Sequence, residues 1–265
     1  MILGVPVYER HDLTKRMVVS LAATVQGDFT LILVDNASPE PYRRGDFDVP
    51  FRMRILRNQR NEGNWYPLRQ VADLEPGHEV VALAHNDVVY YEYGWNRRVE
   101  EEFLQDRLLG LLGFAGSPEI DMRGERAVGT TWSNLRGVLG EPAERGGDRD
   151  AGLHPVVSID GLFMAFRHGA ISALTLDPDL PPAHYYDYIW SAEIIEAGWH
   201  LATLGVDIDH TGWSTATALA DVLDGEWGRW CVEHGYPASN PMATIRQVGS
   251  SHWEMFRGRF FPCRI

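Results

Sequence analysis

The sequence contains few cysteines and no long run of apolar residues. Its 265 residues include two cysteines, Cys231 and Cys263, which have neither CxxC nor zinc-site spacing. This count excludes a disulfide scaffold and is typical of a reducing compartment. The run that comes nearest to a membrane span, 108–115, is far shorter than the ~20 residues that cross a bilayer. Because charged residues also occur too early for a signal peptide, we expect a cytoplasmic protein without integral membrane contact.

Positive charge is scarce as well. Lys15 is the single lysine, and the formal net charge is -13. Such a surface repels polyanions, so nucleic acid would need a local basic patch, and the tail 245–265 offers a modest one of four arginines against one glutamate. Neither G-x-G-x-x-G nor G-x-x-x-x-G-K-[ST] follows the first apolar run, so dinucleotide and P-loop phosphate sites are not indicated.

Short apolar runs alternate with helical segments over the first ~115 residues, a pattern that calls for a parallel, doubly wound sheet. Strands are predicted at 2–7, 29–34, 51–56 and 80–84, and helices at 13–25, 68–74 and 93–105, the first capped by Asp12. The run 80–84 is rich in β-branched residues, as in strands buried on both faces. The predicted fold class is therefore α/β.

The second half begins with a long segment, 116–154, that is rich in glycine, proline and charge and lacks apolar periodicity. A structureless segment of this length is usually a functional loop or lid. Strands are predicted beyond it at 156–159, 162–166 and 201–208, and a helix at 185–197 that ends at Gly198. Residues 213–265 are expected to form a helix and an irregular tail. Since no linker or repeat divides the chain, a single domain, 1–265, is predicted.

Four acidic or imidazole groups end separate predicted elements. Asp35, Asp87 and His210 follow strands, and Asp187 lies at the start of a helix. Ligands of open α/β sheets bind at the carboxyl ends of the strands, so these groups mark a candidate site. Taken alone, such a group is more often a turn former or a satisfied hydrogen-bonding group than a ligand, and it is the order of the four along the chain that favours a site.

The order of these pieces resembles the nucleotide-sugar glycosyltransferases of the GT-A fold, and most closely the family 2 type. The resemblance covers residues 1–212 and rests on seven stretches: VPVYER, LVDNASPE, NEGN, LAHNDV with Gly94-Trp95, IDGLFMAFR, YYDYIWSAEIIEAGW and VDIDHTG. It implies a Rossmann-like, mostly parallel central sheet flanked by helices, with a C-terminal extension at 213–265. It also implies a nucleotide-binding half, 1–115, and an acceptor-side half, 116–212.

The resemblance further implies a metal-dependent, inverting transfer of a sugar from a nucleotide sugar, taken here as a UDP-sugar, to an acceptor hydroxyl. The activity would be of the hexosyltransferase type. A divalent cation, Mn²⁺ or Mg²⁺, neutralises the departing diphosphate. The Asp-x-Asp-like motif of the family corresponds to His85-Asn86-Asp87, whose first acid is missing, so Asp87 and His210 are the predicted metal ligands.

The family's catalytic base corresponds to Asp187, which would take the proton of the acceptor hydroxyl. Tyr186 stands where the family has a glutamate, and Glu193 replaces an arginine. Helix capping is the alternative role of Asp187. The resemblance places the donor on a set of residues from both halves of the chain: Pro6, Tyr8, Glu9, Asp35, Asn61, Gly63, Asn86, Asp160 and Gly161.

Two other functions stay open. A sugar nucleotidyltransferase has a related sheet, although it carries a glycine- and arginine-rich loop after the first strand that this sequence lacks. A catalytically inactive GT-A-like binding module would explain the missing first acid and Glu193. The acceptor hydroxyl could belong to a protein, a glycan, a small molecule or a modified DNA base.

Overall fold

The structure is a computed structural model that describes residues 1–74, 77–118, 152–174, 176 and 186–210, and the backbone of three two-residue strands between 132 and 142. The helices are α1 (His11–Thr24), α2 (Trp65–Leu74), α3 (Trp95–Gln105), α4 (His168–Ile171) and α5 (Tyr186–Glu196), with a 3-10 turn at Arg44–Asp46. The strands are β1 (Ile2–Val7), β2 (Thr30–Asp35), β3 (Arg52–Arg57), β4 (Val80–Ala84), β5 (Val88–Tyr90), β6 (Leu109–Gly113), β7 (Ala115–Ser117), β8 (Trp132–Ser133), β9 (Gly137–Val138), β10 (Glu141–Pro142), β11 (Leu153–Pro155), β12 (Ser158–Ile159), β13 (Phe163–Arg167), β14 (His200–Leu204) and β15 (Ile208–His210).

Eight strands form the central sheet in the order β11-β14-β6-β13-β4-β1-β2-β3. The pairs β4-β1, β1-β2, β2-β3 and β14-β6 are parallel, whereas β13 and the edge strand β11 run antiparallel to their neighbours. The mostly parallel α/β sheet predicted from the sequence is therefore confirmed. The chain passes from β1 to β2 on one side and returns to β4 on the other, so a crevice opens where these strands end.

Alternating side chains of the central strands enter two separate cores. Leu31 and Leu33 of β2 pack on one face with α1 and α3, and Ile32 and Val34 pack on the other with α2, α4 and α5. All four side chains are fully buried. Burial of each such side chain contributes about 1.5–3 kcal/mol. The two cores hold the sheet rigid beneath its polar edge.

The start of α1 differs from the prediction. Arg10, not Asp12, occupies the N-cap position, and Asp12 lies in the first turn. The turn after β1 uses left-handed backbone at Glu9 and Arg10, with φ of 52° and 48°. Because the carbonyl of Arg10 already accepts from the amides of Leu13 and Thr14, the helix begins earlier than the side-chain pattern indicates.

The predicted strand 201–208 is two strands in different sheets. β14 ends at Leu204, and β15 pairs with β5 outside the central sheet. The sequence analysis also missed β6, whose glycines weaken the strand pattern. A Cβ at Gly110 would lie 2.5 Å from the Trp199 Cβ, and one at Gly113 would lie 2.3 Å from the Ile159 Cγ2. These glycines therefore allow Trp199, which follows α5, and Ile159 of β12 to approach the sheet closely.

The segment 116–154 is not wholly structureless, because β8, β9 and β10 and parts of β7 and β11 fall within it. Its remaining residues, and the helix and tail predicted for 213–265, lie outside the described residues. Among the residues that the structure describes, no helix combines the length and the hydropathy needed to cross a bilayer. The predicted domain limits stay predictions.

Candidate active site

Strand pairing brings two distant polar groups together at the crevice. Asp87 immediately precedes β5, and His210 is the last residue of β15. The antiparallel register of these strands places His210 opposite Val88, the residue after Asp87. As a result, the Nε2 of His210 lies 3.2 Å from the Oδ1 of Asp87.

His85 completes a cluster that could hold a metal ion. One ligand atom from each of His85, Asp87 and His210 lies within 4.8 Å of the others. Neighbouring ligands of an octahedral ion with bonds of ~2.1 Å are ~3 Å apart, close to the Asp87–His210 separation. The side chains of His210 and Asp87 are 20% and 13% exposed, so an ion could reach them yet be shielded from bulk water. One carboxylate and two imidazoles suit Mn²⁺ and other transition ions.

His85 is the ligand candidate that the sequence analysis missed. It was treated only as the absence of an acid in the His85-Asn86-Asp87 triplet. The signal was available, because imidazole is itself a common metal ligand and the position is the one where the family places a ligand. In the structure the ring centroids of His85 and His210 are 5.6 Å apart.

Burial and charge set the protonation states of the cluster. Burial lowers the pKa of His85, an effect that Asp87 opposes and His210 reinforces. For Asp87, burial favours the protonated form, but the hydrogen bond and charge of His210 outweigh it and lower the pKa. The cluster therefore offers an ionised carboxylate and a neutral His85 at neutral pH, which are the forms that bind metal.

Asp187 lies at the same end of the sheet. It is the second residue of α5, and its Oδ2 and Oδ1 accept hydrogen bonds from the amides of Gly161 at 3.3 Å and Tyr188 at 3.0 Å. The charges of Asp160 and Asp187 both raise the pKa of His85, so both acids lie near the metal cluster. The position of Asp187 inside the helix differs from that of an N-cap.

Gly161 makes room for a side chain of α5. A Cβ at this position would lie 2.1 Å from the hydroxyl oxygen of Tyr186. The sequence analysis placed this glycine among the residues that would contact the donor. In the structure, the space beside its Cα is filled by Tyr186, which fixes the Asp160-Gly161 turn against the start of α5.

A cavity of about 240 Å³ adjoins the metal cluster at the ends of β1 and β4. Its wall contains six residues predicted to contact donor or metal: Pro6, Tyr8, Asn61, Gly63, Asn86 and Asp87. Four others were not predicted: Val7, Asn36, Asn64 and His85. Asn86 is held by donating to the Thr14 hydroxyl at 3.0 Å. The cavity is thus rich in amide groups beside the cluster.

The structure does not place Asp35 or Glu9 in the cavity wall, which differs from the prediction. Asp35 is fully buried, and its carboxylate accepts from the amides of Ser38 and Tyr42 and from the Arg57 guanidinium. Glu9 is exposed, and its backbone is tied to Ser38 and Tyr42. Both residues hold the loops behind the cavity.

Asn36 takes the place at the wall that the sequence analysis gave to Asp35. Its Nδ2 donates to the carbonyl of Gly63 at 3.0 Å, and its Oδ1 accepts from Asn58 at 2.8 Å. The next residue, Ala37, has a left-handed φ of 65°, a conformation unusual for alanine that often occurs at functional sites. These contacts join the loops after β2 and β3 into one wall.

No protein-family model and no curated protein sequence matches this chain. Solved structures do match it. GalNAc-T7 with UDP, GalNAc and Mn²⁺ has a TM-score of 0.56 and 12% identity over 96% of this chain, which spans 57% of that chain's length. The mannosyltransferase PcManGT of Pyrobaculum calidifontis, in complex with GDP-Man and Mn²⁺, has a TM-score of 0.52 and 11% identity over 95% of this chain and 68% of that one. TarS 1–349 of S. aureus has a TM-score of 0.54 and 13% identity over 100% of this chain and 74% of that one.

At these identities the likeness establishes the fold. The protein has the GT-A fold of nucleotide-sugar glycosyltransferases, as the sequence motifs predicted. Membership of family 2 stays a prediction. The chain spans little more than half the length of GalNAc-T7, so activity, substrates and partners are matters for proposal.

Proposed function

We propose that this protein is a metal-dependent glycosyltransferase that moves a sugar from a nucleotide sugar, of the UDP-sugar type, to an acceptor hydroxyl with inversion at the anomeric carbon. The observation that carries the proposal is the cluster of His85, Asp87 and His210 beside an amide-lined cavity, at the crevice of a GT-A sheet. This is where open α/β sheets bind ligands.

The cluster would hold Mn²⁺ or Mg²⁺, and such an ion supplies Lewis-acid stabilisation to a departing diphosphate. Asp87 immediately precedes β5 and His210 ends β15, and the pairing of these strands places their ligand atoms 3.2 Å apart. Because the strands themselves hold the two groups together, forming the site would need little reorganisation, which favours binding.

The cavity wall would bind the nucleotide. Asn36 and Asn61 lie on the loops after β2 and β3, and amide groups can donate to and accept from a base or a ribose. Asn36 is held in place by Gly63 and Asn58, so its amide would meet a ligand with little loss of side-chain entropy. Tyr8, which is 42% exposed, offers a ring against which a base could stack.

Asp187 would accept the proton of the acceptor hydroxyl as that oxygen attacks the anomeric carbon. Its carboxylate is oriented by hydrogen bonds from the amides of Gly161 and Tyr188. The bond between the anomeric carbon and the diphosphate oxygen breaks as the new glycosidic bond forms. A single displacement of this kind inverts the configuration.

The imidazole of His85 weakens the case for an inactive binding module. The missing first acid was one of the two motives for that alternative, and His85 would supply another ligand at the same position, whereas Glu193 remains as the other motive. The acceptor's chemical class is left as predicted from the sequence: a hydroxyl of a protein, a glycan, a small molecule or a modified DNA base.

The test is calorimetric titration of UDP into the full chain with and without Mn²⁺. We expect Mn²⁺ to tighten UDP binding, and we expect Asp87→Ala to abolish this gain. Asp209→Asn is the matched control, because this acid lies next to His210 but its Oδ2 accepts from the Tyr91 hydroxyl at 2.6 Å. UDP affinity that is equal with and without Mn²⁺ in the unaltered protein would contradict the proposal.

A further inference from the structure

Two residues that depart from the glycosyltransferase motifs contact each other. His85 stands at the position of the missing acid, and Tyr186 stands where the family has a glutamate before the catalytic base. The Nε2 of His85 lies 2.9 Å from the hydroxyl oxygen of Tyr186. The two residues that differ from the motifs are thus in direct contact, although they lie far apart in the sequence.

A second hydrogen bond of Tyr186 fixes the direction of the first. The Tyr186 hydroxyl donates to the carbonyl oxygen of Gly161 at 3.3 Å, and a carbonyl can only accept. A phenol has a single proton, and when that proton is donated to Gly161 the oxygen accepts from His85. In that arrangement the proton of the neutral imidazole lies on Nε2, and the lone pair lies on Nδ1.

The hydroxyl of Tyr186 is held firmly. The side chain is 4% exposed, and its ring packs edge-on against Trp190, with centroids 4.9 Å apart. Gly161 offers no Cβ on this side, which leaves room for the hydroxyl. The packing at the start of α5 therefore holds the Tyr186 hydroxyl in contact with His85.

We propose that Tyr186 is a positioning residue for the metal site. By accepting from Nε2 of His85, it holds the tautomer whose Nδ1 can join Asp87 and His210 around a divalent ion. Partners that bond the far nitrogen of a metal-binding histidine fix its tautomer and orientation in this way. The inference rests on the proposed function, because it assigns a role at the same metal site.

The same contacts connect the metal site to the proposed base. Gly161 accepts from Tyr186 through its carbonyl and donates to Asp187 through its amide. Tyr186 and Asp187 are consecutive residues of α5. A change at the Tyr186 hydroxyl would therefore be transmitted to both ends of the reaction centre.

The first test measures Mn²⁺ affinity by calorimetry, at a fixed UDP concentration, in the full-length Tyr186→Phe variant. Loss of a hydrogen-bond partner behind a metal ligand weakens metal binding by about 10- to 100-fold, and we expect that range here. Tyr90→Phe is the matched control: its hydroxyl is also buried and has no hydrogen-bond partner among the residues that the structure describes, so its removal should leave Mn²⁺ affinity unchanged.

A double-variant comparison separates positioning from a general loss of structure. If Tyr186 acts through His85, Tyr186→Phe should add no further loss of Mn²⁺ affinity to His85→Ala. A full additional loss in the double variant would overturn the inference, as would wild-type affinity in Tyr186→Phe alone.

Nuclear magnetic resonance of ¹⁵N-histidine gives a readout that does not depend on activity. We expect the His85 signal, identified by its loss in His85→Ala, to show the tautomer protonated at Nε2 in the metal-free protein. A proton on Nδ1 would overturn the assignment. The two proposals fail in different ways: Mn²⁺ binding that survives Tyr186→Phe removes only the role of Tyr186, whereas no Mn²⁺ effect in the unaltered protein removes the metal site itself.

Discussion

Two cavities of about 240 Å³ lie at opposite ends of the central strands, and they differ in chemistry rather than in size. The carboxyl-end cavity contains amides and the metal-ligand cluster. The amino-end cavity is lined by residues such as Met1, Glu79 and Glu100. Volume alone would not distinguish them.

The charges at the amino-end cavity are matched within the protein. The Met1 ammonium group contacts Glu100 at 2.7 Å, and the buried Arg167 pairs with Glu79 while also donating to the carbonyls of Leu109 and Phe103. These contacts stabilise the fold. At the carboxyl end, carboxylate and imidazole groups converge on one point, an arrangement suited to an ion. Convergence of ligand atoms, rather than cavity volume, therefore marks the carboxyl end as the candidate site.

The largest difference between the carboxyl and amino ends of the sheet is expected in the reaction rate of Asp187→Asn. An amide cannot take the acceptor proton, and general-base catalysis typically contributes 10²- to 10⁴-fold to rate. We expect UDP release from a UDP-sugar, with water as acceptor, to slow by about this factor while UDP and Mn²⁺ affinity stay unchanged. Glu196→Gln, at the far end of the same helix, should leave the rate unaltered. Equal rates for Asp187→Asn and the unaltered protein would remove Asp187 as the base.

The packing at Gly161 gives the next effect. The Cβ of Gly161→Ala would lie 2.1 Å from the Tyr186 oxygen, so the ring must move, and overpacking of this kind costs about 1–3 kcal/mol. We expect the free energy of unfolding to fall by that amount in urea titrations. Gly169→Ala is the control, since a Cβ there meets nothing within 4 Å. Equal stability of both variants would show that Tyr186 is not held as described.

A smaller effect, on UDP affinity, is expected in the wall of the carboxyl-end cavity. Asn36→Ala removes an amide that would hydrogen-bond the nucleotide, an interaction worth about 0.5–1.5 kcal/mol, and it also removes the contacts with Gly63 and Asn58 that hold this amide in place. Because 1.4 kcal/mol corresponds to tenfold, we expect UDP affinity to fall by about tenfold in calorimetry. Glu101→Gln alters the amino-end cavity and should not change UDP affinity. If Glu101→Gln weakened UDP binding and Asn36→Ala did not, UDP would bind at the amino-end cavity, and the proposed nucleotide site would be wrong.

A further effect, confined to alkaline pH, is expected behind the carboxyl-end cavity. Burial raises the pKa of Tyr42 from 10.0 to about 12. A raised pKa in the folded state stabilises the protein below the unfolded value, and this contribution is lost as pH rises through the folded value. The unfolding free energy should therefore decline more steeply between pH 10 and 12 than in Tyr42→Phe. Parallel pH profiles of the two proteins would contradict this.

Local patterns predicted much of the fold. The apolar run 80–84 corresponds to β4, and Gly198 follows α5 with a φ of 87°, as expected of a helix-ending glycine. The pairing of β5 with β15 could not be predicted, because strand register depends on contacts between distant segments. It is this pairing that carries His210 to Asp87.

The outline of the candidate site could be predicted from the ends of the sequence elements. Asp87, His210 and Asp187 stood at the ends of elements, where a sheet places its ligands. Asn36 was missed because Asp35, its neighbour, was the more conspicuous group, and only the structure shows that Asp35 points inward. His85 was missed because the histidine at the position of the motif's first acid was interpreted only as the loss of a carboxylate ligand.

The central claim is that His85, Asp87 and His210 share one divalent ion. The most direct measurement is anomalous diffraction at the manganese edge from crystals grown with UDP and Mn²⁺. The account predicts a single strong anomalous peak within about 2.0–2.3 Å of a ligand atom of each of the three residues. A UDP-bound crystal whose anomalous peaks lie away from Asp87 and His210 would contradict it.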